Sequence, residues 1–104
     1  MLELRPNCEL CDVDLPPDSA EARICTYECT YCASCVDTVL SDVCPTCGGN
    51  FVPRPIRPKQ AWREDLSLGL GFHPAGTARR RSAWTAEQIA DMARRLRSVA
   101  PGQR

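Results

Sequence analysis

The sequence holds a single histidine, His73, and no cysteine after residue 47. No apolar run approaches the ~18 residues that a membrane span needs. Met1–Pro6 has no basic start followed by an apolar stretch of the kind that marks a secretory signal. There is no Ser-His-Asp set, no pair of acids around an open metal position, and no glycine-rich phosphate loop. Each absence removes a class. No catalysis is expected, and no membrane partner. A chain without a leader is expected in a reducing cytoplasm, where thiols stay free or hold metal.

What the sequence does have is eight cysteines packed into residues 8–47. The first fifty residues are too few to bury an adequate core alone, and domains of roughly 40–70 residues usually need a disulfide or metal staple. Cys8-Glu9-Leu10-Cys11, Cys29-Thr30-Tyr31-Cys32 and Cys44-Pro45-Thr46-Cys47 are short loops, each able to point two thiolates at one tetrahedral ion. Zn²⁺ takes four such ligands at about 2.3 Å in closed structural sites. Iron is the competing metal for four sulfurs. Eight cysteines make two such sites with none left over, so two Zn²⁺ are expected. Cys29, Cys32 and Cys35 are evenly spaced, so spacing alone leaves both a sequential grouping (first four, last four) and a crossed one open. Disulfides would need an oxidising compartment. A thioredoxin-like role needs one exposed pair after a strand, and overlapping pairs do not fit it. His73, beside Pro74 in a polar loop, is expected to be solvated.

Around the cysteines, Leu2-Glu3-Leu4 alternates like a short strand that Pro6 ends. Glu21–Glu28 is the best strand candidate. Ser34 with Asp37 is placed to cap a short helix carrying Val36, Val39 and Leu40 on one face. Gly48-Gly49 allows a left-handed turn. Pro53, Pro55 and Pro58 alternate with Arg54, Arg57 and Lys59 in an extended linker. Ala61–Leu70 has a weak helical pattern interrupted by Gly69 and Gly71, and the chain from Phe72 to Arg81 reads as mobile coil. Thr85-Ala86-Glu87-Gln88 resembles a capping box, followed by Ile89, Met92, Ala93, Leu96 and Val99 at helical spacing. A helix of ~15 residues is marginal alone, so its stripe must pack on the head or on a partner.

The formal net charge is zero, but the halves differ. Residues 1–50 carry two arginines against nine carboxylates, and residues 51–104 carry eleven Lys/Arg against four carboxylates, giving −7 and +7. The basic half can complement the acidic head or meet an anionic partner. Arg54, Arg57, Lys59, Arg79, Arg80 and Arg81, with Trp84 as a stacking surface, are the candidates for nucleic-acid or partner contact. Trp62, Phe72 and Trp84 are expected to anchor the tail to a surface.

The order of the cysteines, the Cys44-Pro45-Thr46-Cys47 ending and Leu10 inside the first pair resemble a RING finger, with cysteine at the fourth position where most RING fingers have histidine. The resemblance implies crossed ligands: Cys8, Cys11, Cys32 and Cys35 on one ion, and Cys25, Cys29, Cys44 and Cys47 on the other. It does not carry over ubiquitin ligation, because Gly48 stands where many ligases have a basic residue, and Leu10 is expected as a core or loop leucine. Residues 1–58 resemble more closely a bacterial family called domain of unknown function 1272. The matching residues are Leu2–Cys8, Asp14-Leu15-Pro16-Pro17, Ala22–Cys25, Glu28-Cys29, Cys44-Pro45, Gly48-Gly49 and Arg54–Pro58. That family implies a small zinc-binding protein without a settled activity.

The expected architecture is a small metal-dominated α+β fold. Residues 1–52 form a two-zinc, RING-like or treble-clef cross-brace with a short hairpin and helix. Residues 53–82 form a Pro/Arg-rich flexible linker, and 83–100 a C-terminal amphipathic helix. The expected role is a structural zinc protein acting as a small interaction or adaptor module, with another protein as partner. The alternatives are a nucleic-acid-associated zinc protein using the basic linker, and a redox sensor that releases zinc on oxidation.

Overall fold

The computed structural model describes all 104 residues. The stretch expected as a strand supplies β1, Ala22–Ile24. It ends early because the chain turns at Thr26-Tyr27, with Glu28 in the left-handed region at φ 67°. β2, Thr30–Cys32, returns antiparallel, setting Ala22 opposite Cys32 and Ile24 opposite Thr30. β3, Val52–Pro53, pairs with the other edge of β1, so the sheet order is β2-β1-β3. Pro53 cannot donate to a ladder, and it sits on an edge strand, where that costs little.

The short helix follows β2 directly. α1 is α-helical over Ala33–Cys35 and widens to a π turn over Val36–Leu40. Its cap is Cys32 rather than the expected Ser34: the Cys32 backbone is extended and its sulfur accepts from the Cys35 N–H at 3.4 Å. The π turn also moves Val39. With hydrogen bonds reaching five residues instead of four, Val36 and Leu40 point inward while Val39 is left 45% exposed. The helix stops at Ser41, in the left-handed conformation.

α2, Ala86–Leu96, has the expected capping box. The Gln88 N–H donates to Thr85 Oγ1 at 3.2 Å, and the Thr85 N–H to Gln88 Oε1 at 2.9 Å. Its apolar stripe packs on the head. Ile89 and Ala93 are buried, Ile89 joins the core around the cysteines, and the helix lies against α1. It also lies close over Gly48. That residue has φ +77°, and a Cβ there would sit 3.0 Å from Leu96 Cδ1. After α2, the Arg104 Nη1 group donates to Asp42 O and Gly48 O, both at 3.0 Å, tying the end of the chain to the head.

The core is built as much from sulfur as from carbon. Cys8, Cys25, Cys32, Cys35 and Cys44 share one buried cluster with Leu15, Ala22, Tyr31, Val36, Leu40, Phe51 and Ile89. Tyr31 and Phe51 meet edge to face, with ring centroids 5.5 Å apart, a favoured aromatic geometry.

Two expected elements do not form. Leu2–Leu4 is not a strand; its carbonyls serve other chain segments, with Leu2 O taking the Arg57 Nη2 group at 2.7 Å and Leu4 O the Gly76 N–H at 2.9 Å. Ala61–Leu70 is turns rather than helix. Here Gly69, at φ +88°, lies so close to Gln60 that a Cβ would meet its backbone at 2.9 Å, and the Leu70 N–H donates to Pro58 O at 2.9 Å. This pinched neck closes residues 58–70 into a loop. Within residues 53–82, expected as a flexible linker, Arg54, Arg57, Gly76, Arg79, Arg80 and Ser82 are hydrogen-bonded to the head, while residues 59–68 of the loop between Pro58 and Leu70 stand exposed. No helix is long and apolar enough to cross a membrane.

Candidate metal centre

β2 and α1 deliver Cys32 and Cys35 to one point, and the turn before Asp12 delivers Cys8 and Cys11 to the same point. Their four sulfurs lie within 4.8 Å of one another. The turn after β1 brings Cys25 to Cys44 and Cys47, whose sulfurs also lie within 4.8 Å of one another. Cys29 borders this second group, and its thiol meets those of Cys25 and Cys44. The chain therefore groups its cysteines in crossed fashion rather than first four and last four. None forms a disulfide.

The donor chemistry of both groups fits a metal ion. A cysteine must be a thiolate to ligate, and thiolates are stabilised by N–H donors. The Tyr27 N–H points at Cys25 Sγ (3.3 Å), the Cys35 N–H at Cys32 Sγ (3.4 Å) and the Gly49 N–H at Cys47 Sγ (3.3 Å). The thiol of Cys44 donates to Cys25, and with backbone donors this pulls Cys25 down to about 5, while Cys44 is pushed up by the same contact and by burial. Cys11 is lowered, chiefly by the Val13 backbone. Burial raises Cys29, Cys32 and Cys35, and crowding among the sulfurs raises Cys29 and Cys35 further. Thiols crowded in this way repel one another once charged. A divalent cation between them removes that cost, and its binding displaces the remaining protons.

A shell of polar residues supports the first group. Asn7, fully buried, donates from Nδ2 to Cys8 O (3.1 Å), to Asp12 Oδ1 (2.9 Å) and to Arg80 O (2.7 Å). Glu9 accepts from the Thr30 N–H at 2.5 Å and pairs with Arg5 at 2.9 Å, fastening the first knuckle to β2. Asn7, Glu9 and Thr30 were not singled out from the sequence. The one available signal was a carboxylate inside a Cys-x-x-Cys loop. Leu10 is partly buried against the core, as expected.

The candidate basic residues divide. Arg54 is 4% exposed, and its guanidinium donates to Arg5 O, Leu15 O and Pro16 O at 2.8, 3.2 and 3.0 Å. Arg57 donates to Leu2 O and His73 O. Arg79 bridges Asp12 and Asp14, and Arg80 pairs with Glu3. Lys59 and Arg81 are exposed, without polar partners. Trp84 Nε1 donates to Thr46 Oγ1 at 2.8 Å, which anchors it beside the last knuckle. Trp62 anchors nothing: it is 78% exposed, and Phe72 is exposed as well. His73 is half-buried, its ring bonded to Ser67 O at 2.9 Å.

A three-stranded antiparallel sheet, two helices and two thiol clusters able to hold ions define a small cysteine-rich α+β protein with the character of a metal-binding module. The chain belongs to the family described as Protein of unknown function (DUF1272), whose model matches residues 1–57. It is also 54% identical over 79 residues to an uncharacterized protein, R02474, of Rhizobium meliloti (strain 1021), covering 76% of this chain and 84% of that one. No solved structure matches it.

Proposed function

We propose that the chain is a two-zinc structural module of the bacterial cytoplasm, RING-like in its crossed ligation, that acts by binding another protein rather than by catalysis. Cys8, Cys11, Cys32 and Cys35 hold the first ion, and Cys25, Cys29, Cys44 and Cys47 the second. The observation that carries the reading is the first cluster, in which two pairs 21 residues apart at their nearest members converge on one point. Bound there, zinc would act as a crosslink contributing on the order of 10 kcal/mol to folding. Four thiolates close each ion and leave no position for a reacting water.

The surface that supports an interaction role is the loop closed at Pro58–Leu70. Trp62, Leu66 and Leu68 are exposed on it, beside exposed Phe72, and a cavity of about 380 Å³ opens between Met1, Trp62, Leu68 and Arg63. Exposed aromatic and aliphatic groups gathered around a concavity are what protein partners cover. The nucleic-acid alternative draws less support, because Arg54, Arg57, Arg79 and Arg80 are engaged within the chain.

Native mass spectrometry of the full chain tests the metal reading. Two zinc ions per chain are expected, and cobalt substitution should give two tetrahedral thiolate spectra. One ion, none, or iron would overturn it.

A further inference from the structure

The first cluster carries the exposed ligand. Cys11 is exposed, whereas Cys8, Cys32 and Cys35 are buried. It is followed by Asp12 at φ 68°, a left-handed conformation that a residue with a side chain keeps only when its surroundings hold it there. Asn7 Nδ2 donates to Asp12 Oδ1 at 2.9 Å and the Asp12 N–H donates to Cys8 O at 3.0 Å, and residues 76–82 supply the rest. Arg79 binds Asp12 Oδ1 through Nε at 3.1 Å, the Asp12 carbonyl through Nη2, and Asp14 Oδ1 through Nη1 at 2.6 Å. The amide of Asn7 takes the Arg80 backbone on both sides, donating to Arg80 O at 2.7 Å and accepting from the Arg80 N–H at 3.1 Å. The Ser82 N–H closes on Glu9 O at 2.7 Å, inside the knuckle itself.

The first and last knuckles are closed by their own backbone in the same way: Cys44 N–H to Gly49 O and Gly48 N–H to Cys44 O, each at 2.8 Å, match Cys8 N–H to Val13 O at 2.9 Å and Asp12 N–H to Cys8 O at 3.0 Å. They differ in what supports them from outside. The outside support of the last knuckle is Arg104 on two carbonyls and Trp84 Nε1 on Thr46 Oγ1. No carboxylate takes part in that clamp. The outside support of the first knuckle includes ion pairs that water reaches: the side chains of Arg79, Asp12 and Asp14 are 44%, 43% and 79% exposed. Pairs of that kind are screened by salt.

We propose that residues 76–82 form a salt-sensitive strap that sets how firmly the first centre keeps its ion, with Arg79 as the positioning residue. The strap fixes Asp12, Asp12 fixes the end of the Cys8–Cys11 loop, and releasing it lets Cys11 leave the ion first. The first ion is therefore the labile one, and its retention follows ionic strength. The inference rests on the two-zinc reading above.

The test is zinc release from the loaded full chain into a colorimetric chelator, followed by stopped flow. Cys11→Ser identifies the phase belonging to the first centre. Arg79→Ala should speed that phase about fivefold and move the other by less than about twofold, since an exposed ion pair of this kind is worth up to about fivefold in an equilibrium. The wild type should approach the variant at ~1 M salt, where the screening length is ~3 Å. Arg79→Lys should retain part of the hold. Arg81→Ala removes the same charge from an exposed position without partners and should change nothing. Both phases moving together, no change in Arg79→Ala, or an equal effect of Arg81→Ala would each overturn the strap. A wild-type chain that carries fewer than two zinc ions by mass would instead overturn the metal reading.

Discussion

Replacing Arg54 with methionine should destabilise the zinc-loaded protein by about 2–3 kcal/mol. The guanidinium is buried without a carboxylate, and burial lowers its pKa. What it does have is three carbonyls from two separate turns, Arg5 O on one side and Leu15 O and Pro16 O on the other. Methionine keeps the packed stem but leaves those oxygens without donors. An unsatisfied buried acceptor costs roughly 1–3 kcal/mol. The Leu15 contact is buried, while the other two are partly open to water and should cost less. Relief of the unpaired buried charge offsets part of the loss. Lysine keeps the charge but not the fork, so Arg54→Lys should fall about midway. The assay is urea denaturation with zinc held in excess, supported by thermal melts. At about 4–8 °C per kcal/mol for a domain of this size, the methionine variant should melt ~10 °C or more below the wild type. A methionine variant within ~0.5 kcal/mol of wild type would refute the reasoning, since it would mean that the carbonyls find water and the arginine holds nothing together.

Two further outcomes follow from single positions. Gly48→Ala should cost about 1–2 kcal/mol, because φ +77° is strained for alanine and its methyl would press on Leu96; hydrogen exchange should show faster opening of α2, and an unchanged α2 would count against the packing described. Trp62→Ser should leave stability within ~0.5 kcal/mol, as expected of a side chain this exposed, yet weaken capture of a protein partner measured by quantitative pull-down. Capture at wild-type level would move the interaction surface elsewhere.

The elements written into local sequence are the ones the structure shows. Paired cysteines, a β-rich run before Cys25, and Thr85 with Gln88 three residues on each report a short-range rule, and each produced its element. Misreadings arose where a neighbour far along the chain decides the geometry. Val39 shares a helical face with Val36 only if the helix keeps its ordinary pitch, and nothing local announces the π turn. Leu2–Leu4 alternates like a strand, but its carbonyls are claimed by Arg57 and Gly76. That the basic half complements the acidic head is one of the two readings the sequence leaves open, but which arginine meets which group is not local information: Arg54 reaches Arg5 O 49 residues away and Arg80 reaches Glu3 77 residues away. Such contacts have no spacing signature. The crossed thiol grouping is intermediate: the pairs were visible, while their register required the sheet, which places Cys32 at the end of β2 beside the first knuckle and Cys25 beyond the end of β1.

That register couples the two clusters. Cys25 and Cys32 sit at opposite ends of one hairpin whose two strands are three residues long each. A hairpin this small cannot open at one end and stay formed at the other. Complete loss of one ion, unlike loosening of its outer loop at Cys11, therefore unsettles the scaffold of its neighbour. The head should fill and empty as a unit once either site is fully lost, with little population of half-loaded chains at equilibrium, even where one ion is the first to leave.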